Sequence, residues 1–170
     1  ALGAAPTALA LWRAVAARET SVDAWVEIHA LAAETGDVPL ATRAAALIEG
    51  LARLDGAQGG RDRRGVLRYR AARGEWPQAH ALARADLAER PDVYADAQFA
   101  LTAAALGDVA TARAYAERAL RLGTVDPLLR WQAGSALVRA GDARGAPLVA
   151  AARAALPWLP AVSDGALAAR

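Results

Sequence analysis

The sequence contains no cysteine, no methionine and no lysine, and aromatic residues make up only 5% of it. Without cysteine there is no disulfide, thiolate metal ligand or cysteine nucleophile, and the chain suits either the cytoplasm or an exported compartment. Without methionine, Ala1 reads as a processed, trimmed or excised terminus. A signal peptide is not among these residues, although one could have preceded them. Scarce aromatics mean a core of alanine and leucine. Histidine is limited to His29 and His80, and serine to Ser21, Ser135 and Ser163. Neither histidine has a metal-ligand or nucleophile pattern beside it, and no serine sits in a nucleophile motif. Both histidines read as packing or surface residues. DGAQGGRDRRG (55–65) is glycine-rich and basic, but lacks the Lys-Ser/Thr ending of a phosphate loop. The longest uncharged stretch, residues 1–12, falls short of the ~20 residues that span a membrane. No catalytic activity, cofactor, metal or membrane span is expected.

All of the 20 basic residues are arginine, set against 18 acidic ones. Arginine-only usage fits forked recognition of carboxylates or phosphates, but the preferred reading is a genome biased toward Arg, Ala and Gly codons. A net charge of +2 is too small to argue for nucleic acid.

Against these absences stands a phrase written four times: GDVPLA (36–41), GEWPQA (74–79), GDVATA (107–112) and GDARGA (141–146). Each glycine follows a helical pattern, where a left-handed residue closes a helix at low cost. Each acid (Asp37, Glu75, Asp108, Asp142) opens the next helix, capping free amides and favouring the helix dipole, with Glu75 the weaker cap. Ala41, Ala79, Ala112 and Ala146 then fall where a small side chain lets a neighbouring helix approach. Val109, Ala112, Ala116, Ala119 and Leu120 continue one apolar face, as do Trp76, Ala79, Ala83 and Leu87. Pro91, Gly123, Pro127, Pro157 and Pro160 close the units. The glycines are 38, 33 and 34 residues apart. The longest spacing is expected to arise from a flexible loop at 55–65. Helix pairs are expected at 22–54, 61–90, 92–122 and 127–156. A single helix at 6–18 and a short terminal helix at 161–170 would cap the ends.

A period near 34 residues built from helix pairs resembles the tetratricopeptide repeat family, and the resemblance covers about residues 22–157. The third unit matches best, with Ala100, Gly107, Ala112, Ala119 and Leu120. Gly134 and Ala146 carry the fourth, Trp25 opens the first, and Pro91 closes the second. His29, Leu67, Ile48, Asp86 and Arg153 stand where the family has small residues, and Pro147 should delay or bend the last helix. The stretch 91–146 is also similar to the C-terminal repeats of exported bacterial tetratricopeptide proteins. The resemblance implies an all-α, right-handed α-solenoid of about ten helices, a single domain over 1–170.

It also implies a concave groove lined by the first helix of each pair. That groove would hold Arg61, Arg64 and Arg68 from the second unit, and Tyr94, Ala97, Gln98 and Leu101 from the third. Leu128, Trp131, Gln132 and Ser135 would follow from the fourth, with Asp23, Glu27 and Glu34 at the edge of the first. The family's carboxylate clamp is absent, because it needs Lys and Asn. Basic residues at one end and aromatics at the other suit a protein or peptide partner with acidic and apolar side chains. Alternatively the arginines form a solvated face and the aromatics pack beneath a terminal helix. The expected role is therefore a protein-interaction scaffold. The other role in view is a self-assembly module, stacking through its terminal helices into an oligomer or a longer array.

Overall fold

The computed structural model describes residues 5–19, 21–57, 63–157, 159 and 162, with the backbone alone at 55–57. The chain is all-α. The described residues form nine helices: α1 Ala5–Arg18, α2 Val22–Thr35, α3 Val38–Ala57, α4 Arg63–Ala72, α5 Trp76–Glu89, α6 Val93–Ala105, α7 Val109–Leu120, α8 Pro127–Arg139 and α9 Gly145–Ala155. The tenth helix expected at 161–170 lies outside the described residues, Val162 excepted. The expected loop at 55–65 is shortened from both sides. Helical backbone continues to Ala57 and resumes at Arg63.

The recurring phrase is one hydrogen-bonded device. Gly36, Gly74, Gly107 and Gly141 have φ of 74°, 75°, 82° and 69°, the left-handed region that glycine enters without a side-chain penalty. At each junction the glycine N–H donates three residues back, to Ala33, Ala71, Ala104 or Val138. The N–H of the following acid donates five residues back, to the carbonyl of Ala32, Arg70, Ala103 or Leu137, at 2.9–3.0 Å. These two bonds satisfy carbonyls that a helix end leaves open. The same acid then starts the next helix. Asp37 Oδ1 accepts from Leu40 N at 3.1 Å, and Asp108 Oδ1 from Thr111 N at 3.1 Å. Glu75, one methylene longer, makes no capping bond; Arg70 and Arg73 hold its carboxylate at 2.7 and 2.6 Å. One residue closes a helix with its backbone and opens another with its side chain.

The fourth junction departs from the other three. Ala41, Ala79 and Ala112 each donate to the acid's carbonyl four residues back, so the helix begins at once. After Asp142 the corresponding bond comes from Gly145, three residues on, and α9 starts only there. Proline explains the delay. A helix begun at Ala143 would place Pro147 where an N–H is needed, whereas a start at Gly145 leaves Pro147 in the first turn, where amides are free. The delay shifts the register by one residue: Gly145, Val149 and Ala152 are buried, while Ala146 and Arg153 are exposed. The inward position expected for Ala146 therefore belongs to Gly145.

The chain divides into two compact units, Ala1–Tyr69 and Arg70–Arg170, with the boundary inside α4. In the first, α2 packs against α1 and α3, burying Val22, Ala24, Val26, Ile28, Ala32, Ala44 and Ile48. Ile48, a departure from the small-residue pattern, is fully buried and fills space that an alanine would leave, while Ala41 is only half-buried. In the second unit, consecutive helices α5 to α9 pack pairwise and α6 also packs on α8. Its core is almost all alanine (Ala97, Ala100, Ala103, Ala112, Ala116, Ala119, Ala133, Ala136) with Leu129 and Leu137. Small side chains bring these helix axes close, so the packing rests on backbone proximity rather than on large anchors.

Candidate functional site

In the first unit the arginine stripe is partly spoken for. Arg68 on α4 pairs through Nη2 with Asp23 Oδ1 and through Nη1 with Glu27 Oε1, the latter at 3.1 Å. Both carboxylates belong to α2, one turn apart. Gly65 lets α4 settle there: a Cβ on it would lie 2.7 Å from Asp23 Oδ1. Tyr69 is buried, and its ring meets His29 edge-on at 5.1 Å. Arg64 is half-buried and also engaged, Glu34 is exposed, and Arg61 lies outside the described residues.

In the second unit the paired faces of α6 and α8 carry the other expected residues. Tyr94 is 40% exposed, and Leu128 and Trp131 are half-buried. Ala97, Gln98, Leu101, Gln132 and Ser135 are buried, with the Ser135 hydroxyl donating to the Trp131 carbonyl. Among the described residues, three polar groups on these helices have buried atoms with no hydrogen-bond partner: Asp96 Oδ1 and Gln98 Oε1 on α6, and Nε and Nη2 of Arg139 on α8. Burial also holds the Arg139 guanidinium below its ordinary pKa. Arg139 was not singled out by sequence reasoning, yet it stands one turn beyond Ser135 on the stripe that begins at Leu128.

A ladder of rings links α5, α6 and α7. His80 stacks on Phe99 at 4.7 Å, Phe99 meets Tyr115 edge-on at 4.7 Å, and the Arg118 guanidinium lies 4.6 Å over the Tyr115 ring. Arg118 also sits 3.1 Å from Asp96 Oδ1, in an orientation that makes an ion pair without an aligned hydrogen bond. Burial raises the Asp96 pKa, opposed by Arg118 and Arg121. His80 Nδ1 is 3.0 Å from Thr102 Oγ1. That hydroxyl already donates to the carbonyls of Gln98 and Phe99, so the ring nitrogen is the donor. Thr102 is fully buried, and its hydroxyl is committed to the helix backbone. The pair is packed, not poised as nucleophile and base.

At the α7–α9 end, Arg144 bridges Asp142 and Glu117, each at 2.6 Å. The hydrogen bonds from Arg144 push the Asp142 pKa far below the carboxylate range. Beside this cluster lies an open cleft of about 620 Å³, floored by Leu120, Leu137, Pro147 and Leu148 and edged by Arg121. Among the described residues, no group of three or more His, Asp or Glu is placed to hold a metal, and no helix is long and apolar enough to cross a membrane.

Compared with known proteins, the chain matches no family model, no curated protein and no solved structure.

Proposed function

We propose that this chain is a tetratricopeptide-like right-handed solenoid segment, non-catalytic, that holds a partner polypeptide on the face shared by α6 and α8. Two features support the repeat reading: the glycine–acid junction recurs with the same backbone bonds, and α6 packs on α8 as well as on α7. The observation that carries the binding reading is the composition of that face. Tyr94 is 40% exposed beside Gln98, whose oxygen has no partner, and the aromatic Trp131 lies on the facing helix. Amphipathic aromatics with unsatisfied polar groups are what interfaces use as anchors. The partner would bring acidic and apolar side chains. Capture from native lysate with the intact chain, repeated with Tyr94→Ala, tests this. A partner retained by the parent should be lost by the variant at unchanged helical signal, and equal retention by both would refute the site.

A second reading, self-assembly, draws on the first unit, where Leu11 on α1 is 65% exposed and Val38 on α3 is 68% exposed. Stacking through α1 would cover Leu11. A solution mass above that of the monomer, returned to monomer by Leu11→Glu, would favour it.

A further inference from the structure

Resting on the reading of the α6–α8 face as a partner surface, we propose that Arg139 is the partner's anchor point and that it receives a carboxylate from an acidic side chain of that partner. The argument begins with an imbalance. Several arginines of the second unit find acceptors: Arg118 has Asp96, Arg144 has Asp142 and Glu117, Arg113 has the Ala140 carbonyl, and Arg130 has the Thr124 carbonyl. Arg84 and Arg121 are exposed, where water serves them. Arg139 is half-buried and has no acceptor among the described residues. Its Nε and Nη2 are shielded from solvent without a hydrogen bond, and Nη1 is left as the nitrogen a ligand can approach. A guanidinium cannot shed its proton to escape this environment. Taking its charge out of water without a counter-charge is therefore a standing cost, which an incoming anion relieves.

Position supports the assignment. Arg139 follows Gln132 and Ser135 along the face of α8 that also carries Leu128 and Trp131. On the packed neighbour α6, Gln98 Oε1 is a second buried group that lacks its partner. Asp96 Oδ1, on the same helix, is a third, held by its ion pair with Arg118. Buried unsatisfied groups are rare in native proteins, and three on adjoining helices mark a face that an occupant would complete. Gln98 Oε1 and Asp96 Oδ1 are enclosed, so the group within a partner's reach is Arg139. A carboxylate from Asp or Glu supplies the acceptor that Arg139 lacks.

The test titrates the intact chain with hexaglutamate blocked at both ends, against blocked hexaglutamine, following the arginine Nε–Hε resonances by NMR. The Arg139 resonance should move and saturate with hexaglutamate, and stay in place with hexaglutamine. Arg139→Met keeps the stem and removes the charge. It should weaken hexaglutamate binding by about tenfold, equivalent to ~1.4 kcal/mol, while Arg153→Met, at an exposed position of α9, binds as the parent does. If Arg139→Met fails to fold, Arg139→Gln takes its place, and the resonance shift in the parent stands as an independent readout. Free acetate that moves Arg139 as strongly as hexaglutamate would overturn the peptide and leave a simple anion site. An Arg139 signal that moves no more than that of Arg153 would overturn the site altogether. If a captured partner binds the parent and Arg139→Met equally, the α6–α8 surface survives and the carboxylate anchor does not.

Discussion

Gly145 lies directly against Gly134 where α9 crosses α8. A Cβ on Gly145 would fall 2.5 Å from the Gly134 carbonyl oxygen and 2.6 Å from Val138 N, both backbone atoms that cannot swing aside. Gly145→Ala therefore has to part the two helices. An overpacking loss of about 1–3 kcal/mol is expected in urea unfolding. Gly134→Ala meets its neighbours at 3.0–3.1 Å, and within the helix it recovers up to ~1 kcal/mol of propensity. It should lose less than Gly145→Ala. An unchanged midpoint for Gly145→Ala would mean that α8 and α9 do not cross this closely.

Ala112 tests the register of the third unit. It is fully buried among the α6 and α7 alanines, whereas Ala110 on the same helix is exposed. Ala112→Leu is expected to lower stability by roughly 1–3 kcal/mol, through extra volume in a filled core. Ala110→Leu should stay within about 0.5 kcal/mol of the parent, as surface substitutions do. Matching midpoints would refute the assigned face.

The junctions were legible in six residues because each needs only local chemistry: a glycine at positive φ and an acid beside it. Glu75 was legible as the weaker cap for the same reason. What escaped the sequence is what depends on distant partners. The stripe Arg64–Arg68 suggested charge on offer to a ligand, but the acids that answer Arg68 sit 41 and 45 residues away on α2. In α9 the expected inward residue was Ala146. Pro147 was recognised as a disturbance, yet its size in residues, a shift of one, follows from which amides the first turn leaves free. The unpartnered guanidinium of Arg139 has no sequence signature, because its lack of acceptors is set by the helices around it.

Arg68 should matter to folding before it matters to any ligand. Arg68→Glu would place a third carboxylate between Asp23 and Glu27, which now hold the guanidinium in a part-buried bridge. Losing two half-exposed ion pairs and adding repulsion is expected to cost about 1 kcal/mol or more, less at high salt. The measurement is thermal unfolding of parent and variant across salt concentration. A variant as stable as the parent at low salt would show that the bridge contributes nothing.

His80 gives the pH dependence a sign. Its ring is stacked on Phe99 and donates to Thr102, with Arg84 on its own helix and Asp108 at the next junction as the charges that reach it. Burial, then Arg84, disfavour the imidazolium, and Asp108 only partly offsets them, so the folded pKa lies below the ordinary 6.5. As pH falls through 6.5 the unfolded chain takes up this proton before the folded one does. Stability from His80 is therefore fully present above 6.5 and drains away as pH drops toward the folded value. His80→Gln keeps a donor near Thr102 and cannot titrate. Its unfolding midpoint should be lower than the parent's at about pH 7.5, through lost stacking, but should fall less between about pH 7.5 and pH 5.5. His29 is common to both proteins and cancels in the comparison. A parent and variant whose midpoints fall in parallel would mean that His80 is no more reluctant to ionise in the folded chain than in the unfolded one.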